Sequence, residues 1–590
     1  MNAFYLTIRK DVRSVPELVL SMFACIDNSE ISEKESLHIF DDSRSKVVQN
    51  KGYTLFNIGT LIYKHRWRRK ALELIIEQLS SGKSIEDIML DTKGQFCLVV
   101  HSADDLFIIT DKLGSFPVYY FEDEDTIQIT NILLLLAKKN NVSINHQAFA
   151  EYISFDYCLN STLFNEIEPL NMGTIYQFGR ERRVYTYDEV FDDIQFNKYA
   201  DLAEVANEAR ETLVNNLSFL TSDDRIFVDL TGGFDTRTMA TILNSMGTAF
   251  DCGICGEQVH KESKIAARVA QILGVKLLED IKITDRRLFR VILDQHFTIT
   301  TGVPMLYHSS ELINYYQYIE REYDIHLTGF GGTELTIRTL PKLNLFSSKI
   351  NKNSLFQKYR YWYPDIFINE FITEGMYRTH LTEKIDRLLQ TIGSEFHAET
   401  ANFLRLSTFT KCYAGCLIGT HNIILPFYSP FLEANYVRLM LQTSYDLKEY
   451  HNIQRAILTE LNPMVSSIVT PHGYSAHTGS KRDIPAFRKC RDSVKNLARQ
   501  IIYQFSLCGA MKWSQNVAAK IRPRDAIAEV QRAFWVNEVD EAWSSDLEIF
   551  VILDRNKFKK HLARESYATK LKAKMLFLNR VITECNPKLR

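Results

Sequence analysis

Two kinds of apolar pattern follow one another along this chain. Up to about residue 195, short apolar runs such as Leu106-Phe107-Ile108-Ile109-Thr110, bounded by Gly and Asp-rich turns, predict strands. A polar linker is expected near residues 190–200, around Val190-Phe191-Asp192-Asp193, and a helix from Tyr199. The largely apolar run from Ile226 to Leu230 reads as a buried strand, and Thr238-Met239-Ala240-Thr241-Ile242-Leu243 has helical spacing. A second strand is expected within Thr248–Gly256, then a helix over Glu262–Leu273 closed by Gly274, then a short strand in Val275–Glu279. That alternation predicts a parallel, doubly wound sheet whose ligands sit at the strand C-termini. Residues 345–590 read as mainly helical, and the aromatic stretch Tyr359-Arg360-Tyr361-Trp362-Tyr363 suits a core better than a substrate platform. No repeat or low-complexity segment interrupts the chain.

Between the first strand and its helix lies Leu230-Thr231-Gly232-Gly233-Phe234-Asp235-Thr236. The two glycines let backbone approach a ligand closely, and loop amides at a helix start favour phosphate. Asp235, at the loop's mouth, is placed to hold Mg²⁺ on a polyphosphate. The string lacks the GxxxxGK[ST] spacing of a kinase-type P-loop. A plain reading competes with this one, in which Asp235 simply caps the helix. A second such loop, Thr328-Gly329-Phe330-Gly331-Gly332-Thr333-Glu334-Leu335, again follows apolar residues. Two anion-cradling loops on one sheet suit a nucleotide cleaved between its α and β phosphates. Glu334 is then the second metal carboxylate, the alternative being an acid favoured at a helix start.

The length of 590 residues calls for two to four domains. A net charge of −2 gives no pull toward nucleic acid or anionic membranes, and no apolar run reaches membrane length. With no signal-peptide pattern, the expected location is the cytoplasm, where the ten cysteines stay reduced. Cys252-x-x-Cys255 lacks the second ligand pair of a zinc site and reads as buried thiols on a core strand. Two basic clusters, Lys64 to Lys70 and Lys481 to Arg499, read as solvated faces or as docking surfaces for an acidic partner.

These motifs resemble the asparagine synthetase class B superfamily, which includes β-lactam synthetases and lasso-peptide cyclases. Thr231–Thr236 is similar to its SGGxDS loop, and Thr328–Leu335 to its SGxGxDEL pyrophosphate loop. Gly256, Glu262 and Ala266 match its strand-end glycine and following helix start, and Leu425–Glu433 resembles its R-x-PFLD segment. Gly94–Val100, Asp111–Tyr120 and Pro169–Gly173 resemble elements of its N-terminal glutaminase. The resemblance implies an α+β Ntn-hydrolase-like sandwich over residues 1–195. It implies an α/β ATP-pyrophosphatase (adenine nucleotide α-hydrolase-like) domain with helical C-terminal additions over 196–590. It also implies ATP and Mg²⁺, held by Leu230, Thr231, Gly232, Gly233, Asp235, Thr236, Cys255, Gly256, Thr328, Gly329, Gly331 and Gly332, with Asp235 and Glu334 on the metal.

Departures from the pattern shape the functional expectation. The glutaminase needs an N-terminal cysteine, whereas this sequence starts Met1-Asn2-Ala3 and first reaches cysteine at Cys25, so glutamine hydrolysis is not expected. Thr333 stands where the family has a metal Asp, and Glu433 where PFLD has its Asp. The family's transition-state lysine falls on His451-Asn452-Ile453-Gln454-Arg455, leaving Lys448 or Arg455 as substitutes. The implied chemistry is adenylation of a small-molecule or peptide carboxylate, then displacement of AMP by an amine. Tyr307, Glu311 and Tyr361 are weak candidates for the base that frees the amine. Three readings stay open: an AMP-forming amide synthetase or cyclase, an ammonia-using asparagine synthetase, and a nucleotide-binding scaffold of low turnover. A homodimer or a docked partner protein is compatible with each.

Overall fold

The computed structural model describes residues 3–9, 19–23, 36–40, 47–155, 157–179, 182–188, 190–254, 261–278, 297, 315–337, 373–393, 398–471, 473–477, 547–553, 568–585 and 587–588. Its N-terminal part is two sheets packed face to face. One runs in the order Ile167–Pro169, Tyr119–Glu122, Thr126–Thr130, Ala3–Arg9, Ser36–Phe40, Val19–Phe23. The other runs Arg183–Thr186, Thr174–Gly179, Asp105–Thr110, Thr92–His101, Tyr53–Tyr63, Val47–Asn50. Strand alternation decides the layering, because successive side chains leave a strand on opposite faces. Phe4 and Leu6 meet Phe56, Ile58, Cys97 and Val99 between the sheets. Ala3 and Tyr5 face the opposite way, toward Leu133, Leu136 and Phe149 of the helices Leu133–Lys139 and His146–Phe155. Leu55, Phe96, Leu98 and Val100 likewise cover Leu72, Ile75 and Ile76 of the helix Arg69–Ser80. The result is a helix–sheet–sheet–helix sandwich.

The expected linker is irregular and exposed or half-buried over residues 192–200, but its first two residues pack inward. Val190 and Phe191 are buried, and Phe191 meets Phe403 edge-on at 5.0 Å between ring centres. A helix follows over Leu202–Leu217, capped by Asp201, whose side chain accepts from Glu204 N.

Five parallel strands form the second core, in the order Leu277–Leu278, Asp251–Gly253, Ile226–Asp229, Ile325–Leu327, Phe427–Tyr428. The chain winds outward from Ile226–Asp229 to one side, then returns and continues on the other. The strand order therefore reverses between Ile226–Asp229 and Ile325–Leu327, the switch point at which such sheets bind ligands. Gly274 ends the helix Lys261–Leu273 with φ 68°, as its sequence position predicts. The expected third strand shrinks to Leu277–Leu278. Cys252 is fully buried on its strand, and burial pushes its thiol well up, which keeps it protonated and inert. Where the later residues are described, helices Glu374–Gln390, Ala398–Arg405, Cys416–Asn422, Ala434–Gln442, Asn452–Leu461 and Ala568–Cys585 agree with the helical reading, whose other stretches lie outside the described residues. None in the described residues is long and apolar enough to cross a membrane.

A buried polar joint ties the two cores together. Gln95 is fully buried; its Oε1 accepts from Ser429 N at 2.9 Å and its Nε2 donates to Ser429 O at 3.2 Å and Leu432 O at 3.1 Å. Gly94 N donates to Glu433 Oε1 at 2.8 Å. Burial raises the Glu433 carboxyl well above the ordinary range, while Lys93 and Lys112 oppose that shift. Part of the first basic cluster serves as a second latch. Trp67 meets Phe219 at 5.8 Å, and Arg68 Nη2 reaches Asp324 O at 2.7 Å. The second basic cluster lies outside the described residues.

Replacing Gln95 strands several buried groups at once, and each unsatisfied group costs about 1–3 kcal/mol. Gln95→Leu is expected to lower unfolding free energy by roughly 3 kcal/mol or more in denaturant titrations. A loss below about 1 kcal/mol would contradict the joint's role.

Candidate functional site

Both glycine loops leave adjacent parallel strands at the same sheet edge, one after Ile226–Asp229 and the other after Ile325–Leu327. His326 Nε2 and Asp229 Oδ1, 2.9 Å apart, sit across those two strands. The loops then close on each other. A Cβ at Gly329 would lie 2.9 Å from Asp235 Cβ and from Thr236 Cγ2. At Gly332 it would lie 2.8 Å from both Asp235 Cγ and Oδ1. Glycine is required at both positions because the second loop rests directly on Asp235. Gly331 adds a backbone reason, with φ 88° and Leu432 Cδ2 2.5 Å from a built Cβ.

Inside the first loop, Thr236 Oγ1 accepts from Thr231 N at 2.9 Å, and Thr231 Oγ1 accepts from Gly233 N at 3.3 Å. Asp235 opens the helix Asp235–Ser245. Its Oδ2 accepts from Thr333 Oγ1 at 2.6 Å and its Oδ1 from Gln454 Nε2 at 2.5 Å. Burial raises the Asp235 carboxyl, with those hydrogen bonds pulling the other way. Glu334 is raised too, first by burial and then by the charge of Asp235. Its carboxylate caps Gly331 N at 3.2 Å and lies 3.9 Å from Arg405 Nη2.

Two neighbouring carboxylates, each pushed toward its neutral form, are what a divalent cation relieves. Hard oxygens from one or two carboxylates, completed by phosphate and water, form a Mg²⁺ donor set. Asp235 accepts from the Thr333 and Gln454 side chains and from the Thr333 backbone, and the roughly four acceptor positions of a carboxylate still leave room for a metal. The residues therefore fit Mg²⁺. Among the described residues no group of three or more His, Cys, Asp or Glu side chains could hold a metal without such outside ligands.

The remaining expected residues fall in different places. Thr231, Gly232, Gly233, Asp235, Thr236, Thr328, Gly329, Gly331, Gly332 and Glu334 come together at the two loops, beside Leu230, which is buried under them. Cys255, Gly256, Tyr307, Glu311, Tyr361 and the Met1-Asn2 start lie outside the described residues. Arg455 is fully buried and turned toward the 474–475 segment, with Nε donating to Ser475 O at 3.0 Å and its guanidinium 5.6 Å from the Tyr474 ring centre. Lys448 is buried too, and burial pulls its ammonium down to about 7 against the pull of Glu399.

The side chain of that segment that does reach the loops is Gln454. His451 stacks against Phe234 at 5.2 Å and is held neutral, its imidazole pulled down to about 4 by burial. Its Nδ1 lies 3.0 Å from Gln454 Oε1, so a neutral Nδ1–H donor orients the amide with its nitrogen on Asp235. His451 precedes the helix Asn452–Leu461 with φ 57°, so no helical spacing in the sequence pairs it with Gln454. An uncharged glutamine does not stand out in a search for a missing lysine.

No family model matches the chain, and no curated protein does. Among solved structures it is similar to a glutamine phosphoribosylpyrophosphate (PRPP) amidotransferase from B. subtilis, complexed with ADP and GMP. The identity is 9% over 40% of this chain and 72% of that one, with a TM-score of 0.17. A structure described as the allosteric regulatory enzyme of purine biosynthesis matches at 9% identity and a TM-score of 0.15, over 36% of this chain and 47% of that chain's length. Likeness at those TM-scores carries no argument about activity, which rests on the geometry above.

Gly332→Ala forces the new methyl into Asp235, and overpacking of this kind costs roughly 1–3 kcal/mol. The variant is expected to lose that much unfolding free energy in denaturant titrations. Unchanged stability would contradict the contact between the loops. A buried lysine with a depressed pKa binds its proton more weakly folded than unfolded. Its penalty is complete below about 7 and fades as pH climbs toward the ordinary 10.5. Lys448→Met is thus expected to be more stable than the wild type near about pH 6, with the advantage shrinking by about pH 10 in denaturant titrations. A pH-independent difference would contradict this burial.

Proposed function

We propose that the chain is an ATP-dependent, AMP-forming carbon–nitrogen ligase or cyclase that joins a carboxylate to an amine without hydrolysing glutamine itself. One observation carries the reading. Two glycine loops leave neighbouring parallel strands at the sheet's switch point and meet over Asp235, with Glu334 beside it. In this reading residues 196–590 form an ATP-pyrophosphatase-type synthetase domain, and residues 1–195 a glutaminase-like sandwich retained as support.

ATP is the substrate. The loop 231–236 faces its α-phosphate side, and the loop 328–332 takes the leaving pyrophosphate. Asp235 and Glu334 hold Mg²⁺, which when bound neutralises phosphate charge. A carboxylate oxygen attacks the α-phosphorus, the bond to the β-phosphate oxygen breaks, and pyrophosphate leaves. The amine then attacks the acyl carbon, AMP departs, and the amine's proton passes to a base. Thr333 and Gln454 fix the Asp235 carboxylate from two sides, so its orientation precedes ligand binding.

A second reading has its own support. Gln454 rather than a cation contacts Asp235, which favours a nucleotide-binding scaffold of low turnover. ATP–pyrophosphate exchange with Mg²⁺ across a panel of carboxylates, aspartate and peptides included, separates the two. The ligase reading expects exchange that depends on one carboxylate and falls by at least about a hundredfold in Asp235→Ala. Exchange unaffected by that substitution would overturn the site, and ATP binding without exchange on any carboxylate would favour the scaffold.

A further inference from the structure

Arg237, on the first turn of the helix Asp235–Ser245, is fully buried. Its Nη1 donates to Ile468 O at 2.8 Å and its Nη2 to Gly232 O at 3.0 Å. Its guanidinium lies 5.6 Å from the Phe234 ring centre, and its Nε has no hydrogen-bond partner. An arginine guanidinium stays charged at neutral pH. Among the described residues no carboxylate forms an ion pair with it.

A buried guanidinium without a counter-charge is costly, and backbone carbonyls offset only part of that cost. Its position indicates what completes the balance. The Gly232 carbonyl and the Gly233 N–H belong to one planar trans peptide, so the two groups point in opposite directions. Arg237 holds the carbonyl and thereby turns the N–H away from itself, to the side of the Thr231 hydroxyl. That N–H makes only a 3.3 Å contact with Thr231 Oγ1, leaving it available to a stronger acceptor. Pro471, whose Cγ would be 2.8 Å from a Cβ on Gly232, closes the loop from the side of the same segment that Arg237 grips through Ile468.

We propose that Arg237 is a positioning residue that charges the first glycine loop for a phosphate chain, acting through the Gly232–Gly233 peptide rather than by touching the ligand. The inference rests on the nucleotide reading above and adds the cation that replaces the missing lysine. The ligand it selects is a di- or triphosphate, with inorganic pyrophosphate the simplest probe. Its charge and the N–H it orients both favour an anion in the loop, whereas an uncharged nucleoside gains from neither.

The test is calorimetric titration of the full chain, wild type, Arg237→Gln and Arg237→Lys, with pyrophosphate plus Mg²⁺, with ATP plus Mg²⁺ and with adenosine. Circular dichroism melts check that each variant folds. Arg237→Gln is expected to weaken pyrophosphate and ATP by more than about tenfold and adenosine by less than about threefold, with Arg237→Lys recovering most of the pyrophosphate affinity. Equal losses for all three ligands, adenosine included, would mean that Arg237 only packs the loop, and no loss would equally overturn the proposal. If Arg237→Gln does not fold, Arg237→Lys decides. A lysine variant that keeps adenosine but loses pyrophosphate contradicts a role for the charge, and one that keeps both upholds it. A wild type that binds none of the three ligands defeats the nucleotide reading itself. A wild type that binds, with unchanged affinity in Arg237→Gln, defeats only the assignment of Arg237.

Discussion

The contact of the second glycine loop with Asp235 is the constraint on which the rest of the site depends. No Cβ fits at Gly329 or Gly332 while Asp235 stays in place. That closeness puts Thr333 on one carboxylate oxygen, and the helix Asn452–Leu461 brings Gln454 to the other. It also brings Glu334 near enough for the charge of Asp235 to raise it, on top of burial. Parallel pairing of Ile226–Asp229 with Ile325–Leu327 makes the approach possible, because both loops then emerge at one edge.

The N-terminal sandwich reaches this site through backbone. Gln95 binds both the N–H and the carbonyl of Ser429, much as a neighbouring strand would. Ser429 Oγ in turn donates to Phe330 O at 2.5 Å, inside the second glycine loop. The path from the sandwich to Asp235 is therefore a short series of direct contacts. A second path runs through the π-helix Leu406–Gly415, which follows Arg405, the partner of Glu334. Gly415 has no room for a Cβ, because Ser115 O would lie 2.8 Å from it.

Much of the second core was legible because its signals are local. Period and punctuation mark the strand before the first loop, its helix, and the helix ending at Gly274. The glycine loops were legible because only glycine tolerates such approach. What escaped is set by tertiary contact. Phe427–Tyr428 is a strand of two residues, too short to carry a period, and exists only through pairing with Ile325–Leu327. Glu433 was marked by the PFLD-like segment, but its partners, Gly94 and Gln95 from far up the chain, were not. Val190 and Phe191 sit among polar neighbours, yet a distant phenylalanine buries one of them. Gln454 and Arg237 have roles that appear only when the loops are assembled.

The central claim is that the two loops and their acids form one polyphosphate site. A crystal structure with a non-hydrolysable ATP analogue and Mg²⁺ tests it most directly. The account predicts the α-phosphate at the 231–236 loop, the terminal phosphates at 328–332, and the cation on Asp235 and Glu334. A nucleotide bound elsewhere, or phosphates at the loops with no cation on either acid, would contradict it.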